Sequence, residues 1–455
     1  MFGAYQFADG PGIADLTVNL KRVAVRHAAR YIPQHAFGDA TYRWLQTGLQ
    51  DGLADSFQLR VHGDLRDFPF ADGKTGLFRI TAKASDVAIE FDPAWPRIEQ
   101  ARADLLIQGR LLEVKASRAK TAGAALQNVR VALPDTLKQG GLVMEVDGEA
   151  ADDTQRLLDY VRNSPVHTYL NGYTDDFQAR GRGLLKLHLE IPLGHGAPAR
   201  VRGSYRIDDN QLDLGAHVPL LQRVRGELTF SNETIQAKDV TAQILGGPAQ
   251  LSLRNEGGTL RIHADGTLDA GSLHATYPYP LLRRLRGQTA WLAEVSVRDK
   301  LADVKVSSDL LGLTSDLPRP FNKLPEQKLN LQFEQKDINA RQNSLKLQYG
   351  EIFDATLLRS ETGDGKWAIR RGNIVLGRQQ NETGKEGIWI VGRLPQLDLQ
   401  GWSGWSNVPQ REGVLPNIAG INVTLDQVTG FGNRVQNLNI RGSGRNGLVS
   451  TRLIS

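Results

Sequence analysis

Cysteine is absent from all 455 residues. That excludes disulfides, thiolate metal sites and a cysteine nucleophile, and it suits an oxidising compartment, where stray thiols are a liability. No apolar run approaches the ~20 residues that span a bilayer as a helix, and no signal-peptide pattern is present. Charge of one sign is not in excess: 55 Lys and Arg face 50 Asp and Glu, for a net +5. Basic residues gather only briefly, at Arg22–Arg30 and Arg283–Arg286. Nucleic-acid binders carry a concentrated basic stripe, so no nucleic-acid partner is expected. Aromatics make up 7%, few for a chain this long, and helical periodicity is scarce.

What is present is alternation. Phe57/Leu59/Val61, Phe78/Ile80/Ala82, Val87/Ile89/Phe91, Ala103/Leu105/Ile107 and Leu185/Leu187/Leu189/Ile191 recur in steps of two, with mostly polar residues between them. Residues Ile244–Gly271 show the unit clearly. Ala249, Leu251 and Leu253 point one way, the Gly257-Gly258 pair turns the chain, and Leu260, Ile262 and Ala264 continue the face. Such a pattern is half-buried antiparallel sheet rather than the near-continuous apolar strand of a parallel core. Asp72-Gly73, Asp209-Asn210 and Gly246-Gly247 read as further tight turns. Four short helices are expected: Asp39–Leu53, with Tyr42, Leu45 and Leu49 on one face; Thr154–Arg162, started by Asp152/Asp153 and stopped by Asn163-Ser164-Pro165; Pro280–Arg286; and Leu397–Trp405, carrying Trp402 and Trp405. The loose strand-turn-strand repeat implies on the order of 25–30 strands.

An open sheet rarely exceeds about 10 strands without curling or splitting, and a one-sided apolar sheet must bury that side. So few helices cannot cover so many strands. Two solutions remain: sheets packed face to face, or a sheet curled into a trough around something apolar. Small inward residues such as Ala82, Ala116, Gly203, Ala249 and Ala264, with the low aromatic content, suit a trough, but residues alone leave both open.

Catalytic chemistry is poorly supported. None of the nine histidines has zincin or helical ligand spacing. The acid pairs Asp152/Asp153, Asp175/Asp176 and Asp208/Asp209 are adjacent in sequence, and neighbours on a strand point to opposite faces, whereas glycoside hydrolysis needs two carboxylates facing one bond. Gly430-Phe431-Gly432 and Gly442-Ser443-Gly444 are too short for a phosphate loop. No metal, cofactor or enzymatic activity is expected.

Several phrases carry a resemblance together: Tyr31-Ile32-Pro33 before Trp44-Leu45, Gly63-Asp64-Leu65-Arg66-Asp67-Phe68-Pro69-Phe70, Phe91-Asp92-Pro93-Ala94-Trp95-Pro96, Asn163-Ser164-Pro165, Ile191-Pro192-Leu193, and Val224-Arg225-Gly226-Glu227-Leu228-Thr229-Phe230 leading to Leu245-Gly246-Gly247-Pro248. In this order they resemble the central region of YhdP-type proteins, members of the AsmA-like group related to TamB. The resemblance implies a periplasmic β-groove of the Gram-negative envelope that carries phospholipid toward the outer membrane. It also implies an inner-membrane anchor outside this chain, with both membranes reached through parts lying elsewhere. It decides for the trough. The expected fold is all-β: an elongated, mostly antiparallel curled sheet forming an open groove with a few short helices. It would run as one continuous segment over residues 1–455, or as sub-units 1–165 and 166–455. The groove would be lined by Leu251, Leu253, Leu260, Ile262, Leu329, Leu331, Phe333, Leu345, Leu347, Ile421, Val423 and Leu425. The alternative is a structural or assembly protein of the envelope with a self-packed β core and no transport.

Overall fold

The computed structural model describes the chain apart from residues 1, 8–9, 32–45, 137–141, 170–171, 194–197, 216–217, 364, 366, 378–385, 404–417, 446–447 and 455. Strand dominates, and it is divided between two compact units. One comprises Met1–Val218 and Arg223–Gln236, the other Pro219–Gln222 and Ala237–Ser455.

In the first unit the chain runs back and forth through β1 (Phe2–Gln6), β2 (Ile13–Ala24), β3 (Leu49–Asp64), β4 (Gly76–Ile89), β5 (Ile98–Gln108), β6 (Leu111–Thr121), β7 (Ala124–Leu133), β8 (Leu142–Asp153), β9 (Gln178–Leu193) and β10 (Arg200–Asp213). Each is bonded antiparallel to the one before. α1 (Thr154–Arg162) and α2 (Val166–Tyr169) fill the β8–β9 connection. β11 (Leu221–Ser231) and β12 (Ile235–Ile244) straddle the division between units.

The second unit continues the meander. β13 (Gly247–Glu256), β14 (Thr259–Asp269), β15 (Leu285–Arg298) and β16 (Leu301–Ser308) pair in sequence. The short β17 (Leu313–Ser315) lies on the start of β15. β18 (Leu331–Asn339), β19 (Gln342–Tyr349), β20 (Phe353–Glu361) and β21 (Trp367–Leu376) extend the antiparallel order from β16. β22 (Gly387–Leu394) then pairs parallel to both β21 and β24 (Ile418–Gly430), with the two-residue β23 (Leu397–Asp398) also parallel to β24. β25 (Asn433–Arg445) and β26 (Leu448–Ile454) return to antiparallel. Parallel strands are usually covered on both faces, and β22 shows it: Ile388, Val391, Gly392 and Leu394 are buried without regard to alternation. α3 (Ala270–Thr276), a 3-10 turn at Pro280–Arg284 and α4 (Leu399–Ser403) complete the unit.

The expected antiparallel, strand-dominated fold with few helices is what forms. The Gly257-Gly258 turn is there too: both residues have positive φ, and Glu256 faces Thr259 across them. Four details differ. The helix expected over Asp39–Leu53 gives way to strand from Leu49 onward, because Leu49 and Leu53 pair with β4; Tyr42 and Leu45 lie outside the described residues. Asp209-Asn210 is not a turn but a bulge inside β10. Pairing with β9 slips between Asp208 and Gln211, and Asp209 takes φ 59°. Strands reach 16 residues in β3 and β9, longer than a regular turn spacing suggests, since bulges let the chain bend without breaking its ladder. The helix at Leu397–Trp405 is shorter than its pattern, Leu399–Ser403, and Trp405 lies outside the described residues.

The polar face of the first unit carries a lattice of charge. Glu113 meets Lys115 at 2.9 Å and Arg130 at 2.8 Å. Arg130 reaches Glu145 and Asp147, both at 3.5 Å. His188 joins Asp147 at 2.7 Å and Glu190 at 3.6 Å, and Glu190 meets Arg200 and Arg202. Opposite charges placed directly across neighbouring strands stabilise the pairing modestly. The Asp147 hydrogen bond raises the His188 pKa above its ordinary 6.5. A raised folded-state value means that this stability is fully present below pH 6.5 and is lost as pH rises through the folded-state pKa. His188→Gln is therefore expected to remove part of the stability decline above pH 6.5, measured as urea midpoints across a pH series; unchanged pH dependence would rule the contact out as its source.

Candidate functional site

The other face is apolar. In the first unit the registers align one uninterrupted row: Leu20, Phe57, Ala82, Leu105, Val114, Val131, Val146, Leu189 and Val201, each facing the next across a strand boundary. Every one is half-buried, neither sealed nor fully exposed. The second unit repeats the arrangement with Leu251, Ala264, Ala293, Val306, Phe333, Leu347, Ala355, Ile374, Ile390 and Ile421. There the two alanines Ala264 and Ala355 are buried and the other side chains of the row are half-buried. A packed interior encloses its large side chains completely. Here, among the described residues, the largest side chains below 2% exposure are Val224, Asn210 and Asn343. No leucine, isoleucine or aromatic reaches that level.

The twelve positions singled out in the sequence separate along the strands of the second unit. Leu251, Leu253, Leu260, Ile262, Phe333, Leu345, Leu347 and Ile421 are half-buried strand residues of the apolar face. Leu329, just before β18, and Leu331 pack with Leu285 and Tyr349 against the buried Ala270, Leu310 and Leu313. Val423 and Leu425, 6% and 3% exposed, form a closed cluster with Leu394 and Val428. Alternation had placed all twelve on apolar faces. It carried no signal for which strand ends another segment covers.

One strand end is capped in each unit. In the second, residues 309–330 and α4 bring Phe321 within 6.2 Å of Tyr349, 5.9 Å of Phe353 and 5.7 Å of Trp402, ring centre to ring centre. Aromatic contacts of this kind contribute beyond the area that they bury. Lys323, 2% exposed, pins this cap from within: its Nζ donates to the Leu313 and Leu324 carbonyls at 2.8 and 2.9 Å. Burial holds its pKa below the usual lysine value. In the first unit α1 is the cap. Thr154 Oγ1 accepts from Tyr205 at 2.7 Å and from Asn210 Nδ2 at 2.5 Å, while Gln155 Oε1 accepts from the Ala179 amide. The bulge at Asp209 is what turns Asn210, fully buried, under the helix.

A depression of about 880 Å³ in the second unit is lined by polar residues such as Gln250, Asp265, Ser307 and Gln332 together with apolar ones, Ala249, Trp291 and Leu331 among them. It mixes both kinds of wall, whereas the rows above are apolar throughout. The acid pairs do not converge. Asp152 accepts from the Ala125 amide and meets Arg156, Asp208 and Asp209 both meet Arg225, and Asp175 meets His167. No set of three His, Asp or Glu residues suited to a metal occurs among the described residues, and no described helix is long and apolar enough to cross a membrane.

In each unit, an antiparallel-dominated sheet with one charged face and one apolar face defines a β-groove type of protein. Residues 3–454 match the YhdP protein family, and the chain belongs to that family. It is 23% identical over 304 residues to the intermembrane phospholipid transporter YhdP of Escherichia coli K12, an alignment covering 65% of this chain and 24% of that protein. The chain thus spans about a quarter of the length of this relative. No solved structure matches.

Thr154→Val keeps the shape of the α1 cap and removes the oxygen shared by Tyr205 and Asn210. The Asn210 carbonyl oxygen already lacks a partner, so the variant strands more buried polar groups, at roughly 1–3 kcal/mol. Faster hydrogen exchange of the α1 amides is the expected result; unchanged exchange would remove Thr154 as the pin.

Proposed function

We propose that this chain is a segment of an intermembrane phospholipid conduit. Acyl chains lie along its apolar face while headgroups stay in water at the open strand ends. The observation that carries this reading is the pair of continuous apolar rows that polypeptide leaves half-exposed. Family membership and the relative's activity support it. The segment works in the periplasm, between an inner-membrane anchor and the outer membrane, both reached through other parts of the protein. Its groove lining includes Leu251, Leu253, Leu260, Ile262, Phe333, Leu345, Leu347 and Ile421. Leu329, Leu331, Val423 and Leu425 form the lining's floor at the capped end. No catalytic step is assigned to it.

The energetics suit transport better than storage. Removing a methylene from water contributes about 0.8 kcal/mol, so a lipid crossing bare water would meet a barrier of roughly 10 kcal/mol or more for a dozen methylenes. An aliphatic wall removes most of that barrier. Relative to a bilayer it offers little net gain, because the tails are buried in both places. Lipid would move along it with small changes in free energy, and direction would come from elsewhere.

Leu253→Asp and Ile262→Asp face each other on this wall and place charge where a tail would lie. Each is expected to lower co-purifying phospholipid per chain severalfold, read by native mass spectrometry, while Ser252→Asp on the opposite face leaves it unchanged. Delipidated wild-type protein that takes up no tail-labelled phospholipid would end the proposal.

A further inference from the structure

The apolar face of the second unit does not stay apolar to the strand end opposite the Phe321 cap. One step beyond the Leu345–Leu357 pair, the registers place Asp337, Asn343, Arg359 and Ile369 side by side on that same face. Arg359 is the unusual member. Its side chain is half-buried, and its Nε donates to the Oδ1 of Asn343 at 2.9 Å. Asn343 itself is 1% exposed, so the acceptor is fixed. The guanidinium carbon lies 5.5 Å from the centre of the Trp367 ring.

No carboxylate contacts this cation directly among the described residues. Arg359 has no ion pair among the described residues, and its two Nη groups have no hydrogen-bond partner there. Asp337 acts on it electrostatically, as does the Tyr279 phenol. But the Asp337 carboxylate is committed elsewhere: Oδ2 accepts from the Ala302 amide at 3.0 Å and Oδ1 from Gln335 at 3.3 Å. Burial depresses the Arg359 pKa below its usual value, though a guanidinium stays charged in any case. A half-desolvated, unpaired charge is costly to keep. On the polar face the arginines at Arg130, Arg225 and Arg393 all have carboxylates. A planar fork held at Nε by a buried amide, with a ring beside it and its Nη edge unused, has the geometry that binds phosphate oxygens in pairs.

We propose that Arg359 is a phosphate-binding residue at the end of the second unit's apolar face that lies opposite the Phe321 cap. There it holds the phosphate of a phospholipid whose tails run inward over Leu357 and Leu345. This rests on the conduit reading for the tails, but the phosphate site stands on its own geometry. It gives the groove a preferred depth and register for each lipid: apolar wall for the chains, one fixed cation for the headgroup.

The test uses the full chain, wild type, Arg359→Gln and Arg359→Lys, with three probes: tail-labelled phosphatidylglycerol, diacylglycerol with the same tails, and inorganic phosphate. Arg359→Gln is expected to weaken phosphatidylglycerol retention by about tenfold, the usual scale for losing a charged hydrogen bond, and to leave diacylglycerol unchanged. Arg359→Lys keeps the charge without the fork and is expected to fall between the two; should the glutamine variant not fold, this comparison with wild type decides. Equal phosphatidylglycerol retention by wild type and folded variants overturns the proposal. Inorganic phosphate that binds wild type in an Arg359-dependent way and displaces no lipid assigns the site to free phosphate and overturns the headgroup assignment. If wild type takes up neither lipid, the conduit reading fails separately, and Arg359 is judged by inorganic phosphate alone: Arg359-dependent binding upholds the phosphate site, and no binding overturns it.

Discussion

The structure depends on one constraint: a strand exposes its side chains alternately, so a chain written almost entirely in alternation produces a sheet with one apolar face. Helices are too few to cover it. Leucines, valines and isoleucines along the rows remain half-open, and among the described residues no leucine, isoleucine or aromatic is less than 2% exposed. The hydrophobic effect that organises the fold therefore leaves part of each row's apolar surface open.

The rest of the molecule can be understood as management of that open face. Charge pairs across the polar side keep the strands in register without adding a core. Caps made of α1, of residues 309–330 and of α4 close one strand end, and each is fixed by a buried polar group: Thr154 with Asn210 in one case, Lys323 in the other. These pins add buried polar contacts to the apolar ones that the caps already make. The opposite strand end in the second unit carries Asn343 and Arg359, a polar boundary to the apolar face.

Much of this was legible in the sequence. The strand-dominated class, the Gly257-Gly258 hairpin and the helix at Thr154–Arg162 follow from local rules, namely a period of two, positive φ at a turn, and an apolar stripe between a start and a stop. What failed locally failed for tertiary reasons. Leu49 and Leu53 fit a helical spacing, yet pairing with β4 offered them more. Asp209-Asn210 has turn chemistry, but the same left-handed backbone serves a bulge when ladder bonds resume on both sides. Of the lining candidates, Leu253 and Val423 look alike in sequence. One stays half-open and the other is sealed, because only the fold lays Leu394 of β22 and Leu397 of β23 near the second.

The sequence by itself determined that there would be a one-sided apolar sheet, since alternation is a property of neighbouring residues and strand geometry reads it directly. Only the tertiary structure decided where that face is capped, where it stays open, and that an arginine would be held unpaired at its end. Those outcomes depend on registers between strands and on contacts between residues far apart in the chain, and no local pattern encodes either.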